Sequence, residues 1–378
     1  MVPLIPILII FFIVFSILLI YIKQWYHSNL KRKTAIYVSH KDFNPKISII
    51  ICARNEALNL EKNLEKILNQ SYTNIEVIVI DHDSTDNSQE ILNVLKSKYA
   101  KLVVCKISLT QNQYKGKKQA LYEGFQIATG AFVIITDADC WPVDTDWVKE
   151  MIQPFEQQPI DFVLAYAPYT KEKGFLNDIV QYETITTFQT MQYFNDLGKP
   201  YMAVGRNMAI RKSILTEAYW EKYNSIPYGD DDLLLQYYGN AKNVYIKERS
   251  GSAMFSNPET IWKYWWHQKM RHLQAGKYYK KNILVLLTIL HITELLQLIV
   301  LIFTISCIYK NIVLIYLSIP LIGLYILQYR QFKKREGNEI GFGKFVLIKN
   351  LMVIYYLFSP LISFFYKNNI WQRNTPYQ

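Results

Sequence analysis

The fold of this chain is decided by residues 131–140, which read AFVIITDADC. An apolar run ends there in two carboxylates, Asp137 and Asp139, with one residue between them. Residues i and i+2 of a strand share a face, so both acids are expected on the same side. In open α/β sheets ligands bind at the carboxyl ends of the strands, and paired hard oxygen ligands there suit Mg²⁺ or Mn²⁺ carrying a diphosphate. A solvated loop or a helix cap is the alternative for such a pair taken alone.

The apolar residues are concentrated at the two ends of the chain. Of the 378 residues, 51% are hydrophobic and 15% are aromatic. Residues 2–21 carry no charge and would span about 30 Å as a helix, enough to cross a bilayer. Basic residues follow this segment, at Lys23 and 31–33, rather than precede it. This pattern predicts a retained anchor with the following chain in the cytoplasm.

Three further apolar segments near the C-terminus, 283–309, 312–329 and 345–366, predict transmembrane helices. The basic link between the last two is expected in the cytoplasm. Glu294 and Gln297 are expected to face protein rather than lipid. The last segment contains Lys349 and Pro360, so it either spans the membrane or re-enters it.

The charge and cysteine content limit the compartment and the partners. The net charge is +11, and many of the basic residues lie beside the apolar segments, where attraction to anionic lipid headgroups accounts for them. No signature of a nucleic-acid-binding module is present, so no nucleic-acid partner is expected. The four cysteines have no metal or disulfide spacing, which agrees with a reducing compartment.

Between the apolar ends, strand-like and helix-like segments alternate. The strand-like runs are residues 47–52, 75–80, 102–107 and 131–136, and the helix-like stretches between them are 59–70, 88–99 and 117–128. Continuous apolar strands separated by helices are typical of a parallel sheet covered on both faces. The middle of the chain is therefore predicted to be an α/β nucleotide-binding domain, although a fold alone does not fix the chemistry.

Three of these predicted strands end in turns that carry acids. Glu56 follows the first strand, Asp81 the second, and Asp137 and Asp139 the fourth. Each acid by itself could cap the next helix. Their convergence on one rim of the sheet calls for a cation or a ligand, because like charges repel.

In this order, residues 47–56, the turn 81–86, Gly116-Lys117 and residues 136–139 resemble the motifs of family 2 glycosyltransferases with a GT-A fold. Residues 229–234 (GDDDLL) resemble the catalytic-base segment of that family. Residues 268–272 (QKMRH) resemble the Gln-x-x-Arg-Trp element of its membrane-bound members. The resemblance covers roughly residues 45–280.

The resemblance implies an α/β, Rossmann-like GT-A domain that binds a nucleotide-sugar, with one N-terminal and about three C-terminal transmembrane helices. The expected division is an anchor at 1–22, a cytoplasmic glycosyltransferase domain at 23–257, an amphipathic interface helix at 258–281, transmembrane helices at 282–367 and a tail at 368–378.

The resemblance also implies roles on the donor side. Glu56 and Asp81 would contact the nucleoside and Lys117 the diphosphate, although a solvated helix face is the alternative for Lys117. Asp137 would contact the sugar–phosphate, and Asp137 and Asp139 would hold Mg²⁺ or Mn²⁺.

On the acceptor side, Asp231 is expected to be the general base that takes the proton of the attacking hydroxyl. The alternative is that the acids 230–232 stabilise the start of the following helix. Arg271 is expected near the leaving diphosphate, since its fork suits phosphate, or else faces lipid headgroups. Gln268 would bind substrate, and Asn207 would line the acceptor pocket.

Two positions depart from the family pattern. His82 stands where an acid often touches the nucleotide base. His272 replaces the Trp that processive members use beside the growing polymer, which weakens the prediction of a long product.

The expected function is an inverting, metal-dependent hexosyl or N-acetylhexosaminyl transfer from a nucleotide-sugar to a membrane-associated lipid or lipid-linked saccharide. The expected reaction would serve envelope or exopolysaccharide synthesis. The protein is expected in the plasma (inner) membrane, which its chain would cross several times. A processive polysaccharide synthase is one alternative. A catalytically idle, nucleotide-binding membrane scaffold is the other.

Overall fold

The computed structural model describes residues 43–108, 114, 116–156, 159–248, 250–307, 312–334 and 339–365. The predicted anchor at 1–22 and the tail at 368–378 lie outside these residues.

A seven-stranded mixed sheet and a separate two-stranded sheet account for the described strands. The strands are β1 Ile47–Ala53, β2 Ile75–His82, β3 Leu102–Ile107, β4 Phe132–Asp137, β5 Cys140–Pro142, β6 Phe162–Ala165, β7 Met208–Arg211, β8 Val244–Lys247 and β9 Met254–Ser256. The order in the large sheet is β3-β2-β1-β4-β7-β6-β8, and β5 pairs with β9. The predicted parallel arrangement of β1 to β4 is confirmed. Strand β7 then runs antiparallel to both β4 and β6, so the complete sheet is mixed.

The described helices surround this sheet and continue beyond it. The α-helices are α1 Ala57–Leu68, α2 Ser88–Lys98, α3 Lys117–Ile127, α4 Trp147–Ile152, α5 Phe175–Asp196, α6 Glu217–Lys222, α7 Asp230–Tyr238, α8 Trp262–Ala275, α9 Lys281–Cys307, α10 Ile312–Lys333 and α11 Phe342–Phe365. Short 3-10 helices lie at Gln153–Glu156, Lys212–Ile214, Ser250–Ser252 and Gly276–Tyr278. Helices α1 to α3 correspond to the three helices predicted between the first four strands.

The apolar runs of the strands are explained by burial on both faces of the sheet. Successive side chains of a strand point to opposite faces. Ile49 therefore packs in the core beneath α1 with Leu64, while Ile50 packs on the other face with Leu121 of α3. The sheet is a middle layer that holds its carboxyl edge in a fixed position.

Two of the described helices, α9 and α11, are long and apolar enough to cross a membrane, over Lys281–Ser306 and Phe342–Ser363. Large apolar side chains such as Ile302 and Leu361 point outward from them. Polar groups point inward: the Gln297 and Gln328 amides bond to each other at 3.2 Å, and Lys349 pairs with Glu294 at 3.1 Å. The predicted inward orientation of Gln297 is thus confirmed, because its side chain is buried. The number of transmembrane helices stays a prediction.

Helix α8, within the predicted interface segment, joins the domain to the C-terminal helices. The Trp265 ring lies 5.5 Å from the Tyr355 ring of α11, between centroids. Lys269 forms a 2.7 Å ion pair with Glu183 of α5, and both side chains are nearly buried. The sheet domain and the apolar helices are therefore packed together through α8. The expected domain boundaries stay predictions.

The amino-terminal edge of the sheet is fastened by Glu76 of β2. Its carboxylate accepts hydrogen bonds from the Ser48 hydroxyl at 2.5 Å and the Thr129 amide at 2.7 Å, and it pairs with Lys46 at 3.0 Å. Burial works to raise the pKa of Glu76, but these hydrogen bonds outweigh it and lower the pKa from 4.5 to about 2. One carboxylate thus ties β1, β2 and the entry to β4 together.

We expect Glu76→Gln to lower the free energy of unfolding by about 1–3 kcal/mol, because charge-assisted hydrogen bonds are lost. Since the pKa is lower in the folded state, the contribution of Glu76 is complete above pH 4.5 and disappears as the pH falls towards 2. Thermal unfolding of the full chain in nanodiscs, measured against pH, checks this. Glu61→Gln, at an exposed position on α1, is the control. A stability difference that does not depend on pH would contradict the assignment.

Candidate active site

A cavity of about 1050 Å³ opens at the carboxyl edge of the sheet and gathers most of the residues predicted for the site. Those that line it are Glu56, Lys117, Asp137, Asp139, Asp231, Gln268 and Arg271. They come from β1, α3, β4, α7 and α8 or from the turns beside them. Asp81 and Asn207 are not among the lining residues.

Asp137 and Asp139, after the apolar run of β4, form an oxygen-donor pair. Their carboxylates and the Cys140 thiol lie within 4.8 Å of one another. The thiol donates to the Asp139 carboxylate at 3.4 Å, and burial, followed by the charge of Asp139, raises the pKa of Cys140 well above its usual value. A thiol is a soft ligand, whereas two carboxylates are the hard donors that Mg²⁺ or Mn²⁺ prefers. The residues present fit such an ion.

Lys117 begins helix α3 and forms an ion pair with Asp137. Burial works to lower the pKa of Lys117, but the charges of Asp137, Cys52 and Asp230 raise it overall. Its side chain is 19% exposed, so the alternative of a solvated helix face is wrong. A fixed cation therefore stands among the acids, where a diphosphate would need one.

The three acids that begin α7 have three different sets of partners. Asp230 pairs with the buried Lys118 at 3.5 Å. Asp231 accepts a 2.7 Å hydrogen bond from the Gly205 amide. Asp232 accepts from the Ala203 amide at 3.0 Å and from the Tyr279 hydroxyl. All three acids lie in the first turn of α7, and Asp231 Oδ1 also accepts a 3.0 Å hydrogen bond from the Asp232 amide, so stabilisation of the helix start stays an alternative for the run.

Asp231 has the environment of a general base. Burial, followed by the charge of Asp230, raises the pKa of Asp231 above the usual 3.8. The hydrogen bond from Gly205 and the charge of Lys117 act in the opposite direction but do not cancel this rise. A carboxylate with a raised pKa accepts a proton more readily near neutral pH. Asp231 lines the cavity, so this basicity faces the space that a substrate would enter.

Asp81 lies at the end of β2, in register with Ala53 of β1. The residue before Ala53, Cys52, lies in register with Asp137 of β4. Asp81 is fully buried, and its Oδ1 accepts a 3.1 Å hydrogen bond from the Ser84 amide. Its Oδ2 has no hydrogen-bond partner. An unsatisfied buried acceptor is costly, and a ligand that brings an N–H or O–H group would satisfy it.

The turns after β1 and β2 are locked to each other. Asn55 and Asp83 both have positive φ, at 55° and 57°, a region in which Asn and Asp are enriched. The Asn55 amide donates to the Ser84 hydroxyl at 2.9 Å, and the Asn55 side chain accepts from the Thr85 amide at 2.8 Å. These bonds fix the backbone around Glu56 and Asp81.

Asn207 does not take the predicted position in the acceptor pocket. Its amide group donates to the carbonyls of Tyr166 at 2.8 Å and Ser252 at 2.9 Å, and its oxygen accepts from Trp147 Nε1 at 3.0 Å. Because all of these bonds go to the protein and the residue is buried, Asn207 holds the ends of β6 and β7 together instead.

Helix α8 supplies the cationic wall of the cavity. Gln268 and Arg271 line it, and contact of Arg271 with lipid headgroups stays the alternative. His272 also lines the cavity, with an exposed side chain.

The sequence analysis missed two site residues. The Arg206 guanidinium stacks 3.9 Å from the centre of the Tyr169 ring, donates to the Ala167 carbonyl and lines the cavity. Its position directly before Asn207, which the resemblance singled out, could have drawn attention to it. Tyr279, which bonds to Asp232, had no sequence signal because its partner is 47 residues away.

Comparison with known proteins agrees with this geometry. Residues 48–218 match the family model described as glycosyl transferase family 2. The chain is 32% identical over 130 residues to UDP-Glc:alpha-D-GlcNAc-diphosphoundecaprenol beta-1,3-glucosyltransferase WfaP of Escherichia coli. The matched region is 34% of the chain and 48% of that protein. The chain is also 26% identical over 276 residues to poly-beta-1,6-N-acetyl-D-glucosamine synthase of Staphylococcus epidermidis. This matched region is 71% of the chain and 62% of that protein. Less than two thirds of each relative is thus matched.

A solved structure shares the fold over nearly the whole chain. The mannosyltransferase PcManGT from Pyrobaculum calidifontis, in complex with GDP-Man and Mn²⁺, is similar with a TM-score of 0.60. The match covers 94% of this chain and 96% of that one at 16% sequence identity, and at this identity it shows the fold alone.

We expect Gly229→Ala to displace the acid-bearing start of α7. Gly229 has a φ of +73°, which costs an L-residue about 1–2 kcal/mol. An added Cβ would also lie 2.7 Å from the Ala275 Cβ, so α7 or α8 must shift. Thermal unfolding should show the loss of stability, and Gly276→Ala, where an added Cβ meets nothing within 4 Å, should show little. Equal stability of the two variants would contradict the assigned constraint.

Proposed function

Because residues 48–218 form a glycosyl transferase family 2 domain, we propose that the protein is an inverting glycosyltransferase that uses a membrane-associated acceptor. It moves a hexosyl or N-acetylhexosaminyl group from a nucleotide-sugar. The observation that carries the proposal is a single cavity lined by Asp137, Asp139 and Asp231 together with the cations Lys117 and Arg271.

On the donor side, Glu56 and Asp81 bind the nucleoside, and Asp81 Oδ2 is the acceptor still available for it. Asp137 and Asp139 would hold Mg²⁺ or Mn²⁺, which neutralises charge on a diphosphate leaving group. The similar Pyrobaculum calidifontis structure holds GDP-Man and Mn²⁺, which supports a nucleotide-sugar and a divalent ion as ligands of this fold. Gln268 contributes a polar contact from α8.

On the acceptor side, Asp231 takes the proton from the attacking hydroxyl. The hydroxyl oxygen bonds to the anomeric carbon as the bond from that carbon to the diphosphate oxygen breaks, which inverts the anomeric centre. Lys117 and Arg271 face the negative charge that develops on the leaving diphosphate. General-base assistance of this kind contributes about 10²–10⁴-fold to the rate.

The acceptor is a lipid or a lipid-linked saccharide in envelope or exopolysaccharide synthesis. The catalytic cavity continues to α9 and α11, which among the described helices are long and apolar enough to cross a membrane. The name of the Escherichia coli relative specifies a diphosphoundecaprenol acceptor, which supports a lipid-linked one here. In this proposal the protein is a multi-pass protein of the plasma membrane, and its catalytic domain lies in the cytoplasm.

A processive polysaccharide synthase is the second candidate function. Similarity to the Staphylococcus epidermidis synthase over 71% of the chain favours it. His272, where processive members have Trp, weighs against it. The products separate the two functions, because single transfer gives one sugar adduct and a processive enzyme gives a ladder of lengths.

We expect Asp231→Asn and Asp139→Ala to lower sugar transfer in membranes by about 10²-fold or more, because they remove the base and a metal ligand. Glu90→Gln, at an exposed position on α2, is the control. Release of the nucleotide from a panel of nucleotide-sugars measures turnover. Equal turnover in the native chain and the acid variants would leave the idle-scaffold alternative standing.

We expect a nucleotide-sugar to raise the unfolding temperature of the protein only when Mn²⁺ or Mg²⁺ is present. A ligand that binds the folded state alone stabilises it, by about 2.7 kcal/mol at one hundred times its dissociation constant. Chelation with EDTA should abolish the shift, and adding back either ion should restore it. Lys117→Met should weaken the shift, and an undiminished shift in EDTA would rule out the metal.

A further inference from the structure

The catalytic cavity does not end at the acids of the sheet edge. Its wall continues between α9 and α11, where it includes His291, Glu294, Lys349 and Tyr356. We call these four residues the membrane-side subsite. Glu294 lies 13 residues after the start of α9 at Lys281, or about 20 Å along the helix axis. The polar wall therefore extends into the parts of these helices that are apolar enough to cross a membrane.

The centre of the membrane-side subsite is an ion pair. Lys349 Nζ lies 3.1 Å from Glu294 Oε1, and the side chains are 4% and 32% exposed. Charged groups among transmembrane helices are costly and mark functional positions. Because Glu294 keeps exposed surface and both residues line the cavity, the pair presents an acceptor and a donor to whatever enters.

Aromatic rings lie beside this ion pair. The His291 ring is 5.2 Å from the Tyr356 ring, and Tyr355 lies 5.1 Å from Tyr356, between centroids. Trp266 of α8 is 5.9 Å from Tyr355, so the rings continue towards the interface helix. The wall thus combines apolar ring surfaces with a charged pair of zero net charge.

We propose that the membrane-side subsite binds the hydroxyl-bearing headgroup of the acceptor, which is a saccharide carried on a lipid. A saccharide offers hydroxyl donors to Glu294, hydroxyl acceptors to Lys349 and C–H faces to the rings. A phosphate headgroup fits less well, because the Glu294 carboxylate would repel it and already pairs with the cation. The inference rests on the proposed function and selects one acceptor class for it.

The probe is dodecyl β-maltoside with a photoreactive diazirine in its alkyl chain, applied to the full chain in phosphatidylcholine nanodiscs. Irradiation should attach the probe to peptides of α9 or α11, which mass spectrometry locates. Unlabelled dodecyl β-maltoside should reduce this labelling about tenfold, because charge-assisted contacts that total about 1.4 kcal/mol correspond to tenfold in binding. Dodecyl phosphate at the same concentration should reduce the labelling less than about twofold. Equal competition by the two compounds, or labelling confined to other peptides, would overturn the proposal.

A double variant, Glu294→Gln with Lys349→Met, should lower the labelling by about tenfold through loss of both charge-assisted contacts. The matched control is Gln297→Leu with Gln328→Leu, a polar pair between α9 and α10 that does not line the cavity. Unchanged labelling in the first double variant would contradict the assignment. If that variant does not fold, the competition in the native chain decides alone.

Nucleotide release from donor sugars, measured separately, distinguishes this inference from the proposed function. A chain that turns over no nucleotide-sugar but keeps the headgroup-selective labelling has the subsite without the enzyme activity. A chain with Asp231-dependent turnover but no selective labelling is an enzyme whose acceptor headgroup binds elsewhere.

Discussion

The repulsion among five carboxylates gathered at one rim is the constraint on which this structure depends. Asp137 and Asp139 end one strand, and the acids 230–232 begin the helix that faces it. Like charges in a partly buried site raise one another's pKa values or need compensation. Compensation comes from Lys117 and Lys118 and from backbone amides such as that of Gly205. The site is therefore assembled by neutralisation as much as by packing.

This neutralisation connects parts of the chain that are far apart in sequence. Lys118 is fully buried and donates to the carbonyls of Tyr223 and Ile226 at 2.8 Å each, as well as pairing with Asp230. Tyr279, between α8 and α9, donates to Asp232. A movement of the apolar helices would therefore disturb the acids of α7 directly, which makes the catalytic rim sensitive to how the helices are seated.

The sequence predicts the half of the fold in which structure follows from local pattern. Strands β1, β2 and β4 are apolar runs buried on two faces, and the acids that follow them reach one rim because parallel strands end together. The antiparallel β7 and the role of Asn207 depend on partners far along the chain, so no local pattern reveals them. Asp231 was found by resemblance, whereas the cause of its raised pKa needs the tertiary structure, because burial dominates it.

The packing of α8 against its neighbouring helices determines from which side an acceptor can approach the cavity. The helix is held to α5 by the Lys269–Glu183 pair and to α11 by the tilted contact between the rings of Trp265 and Tyr355, while Arg271 lines the cavity. The space in front of Asp231 is thus continuous with the gap between α9 and α11. Under the proposed function, an amphiphile whose alkyl chain stays in lipid brings its hydroxyl to Asp231 without leaving the bilayer, so the hydrophobic part of the proposed acceptor need not be transferred to water.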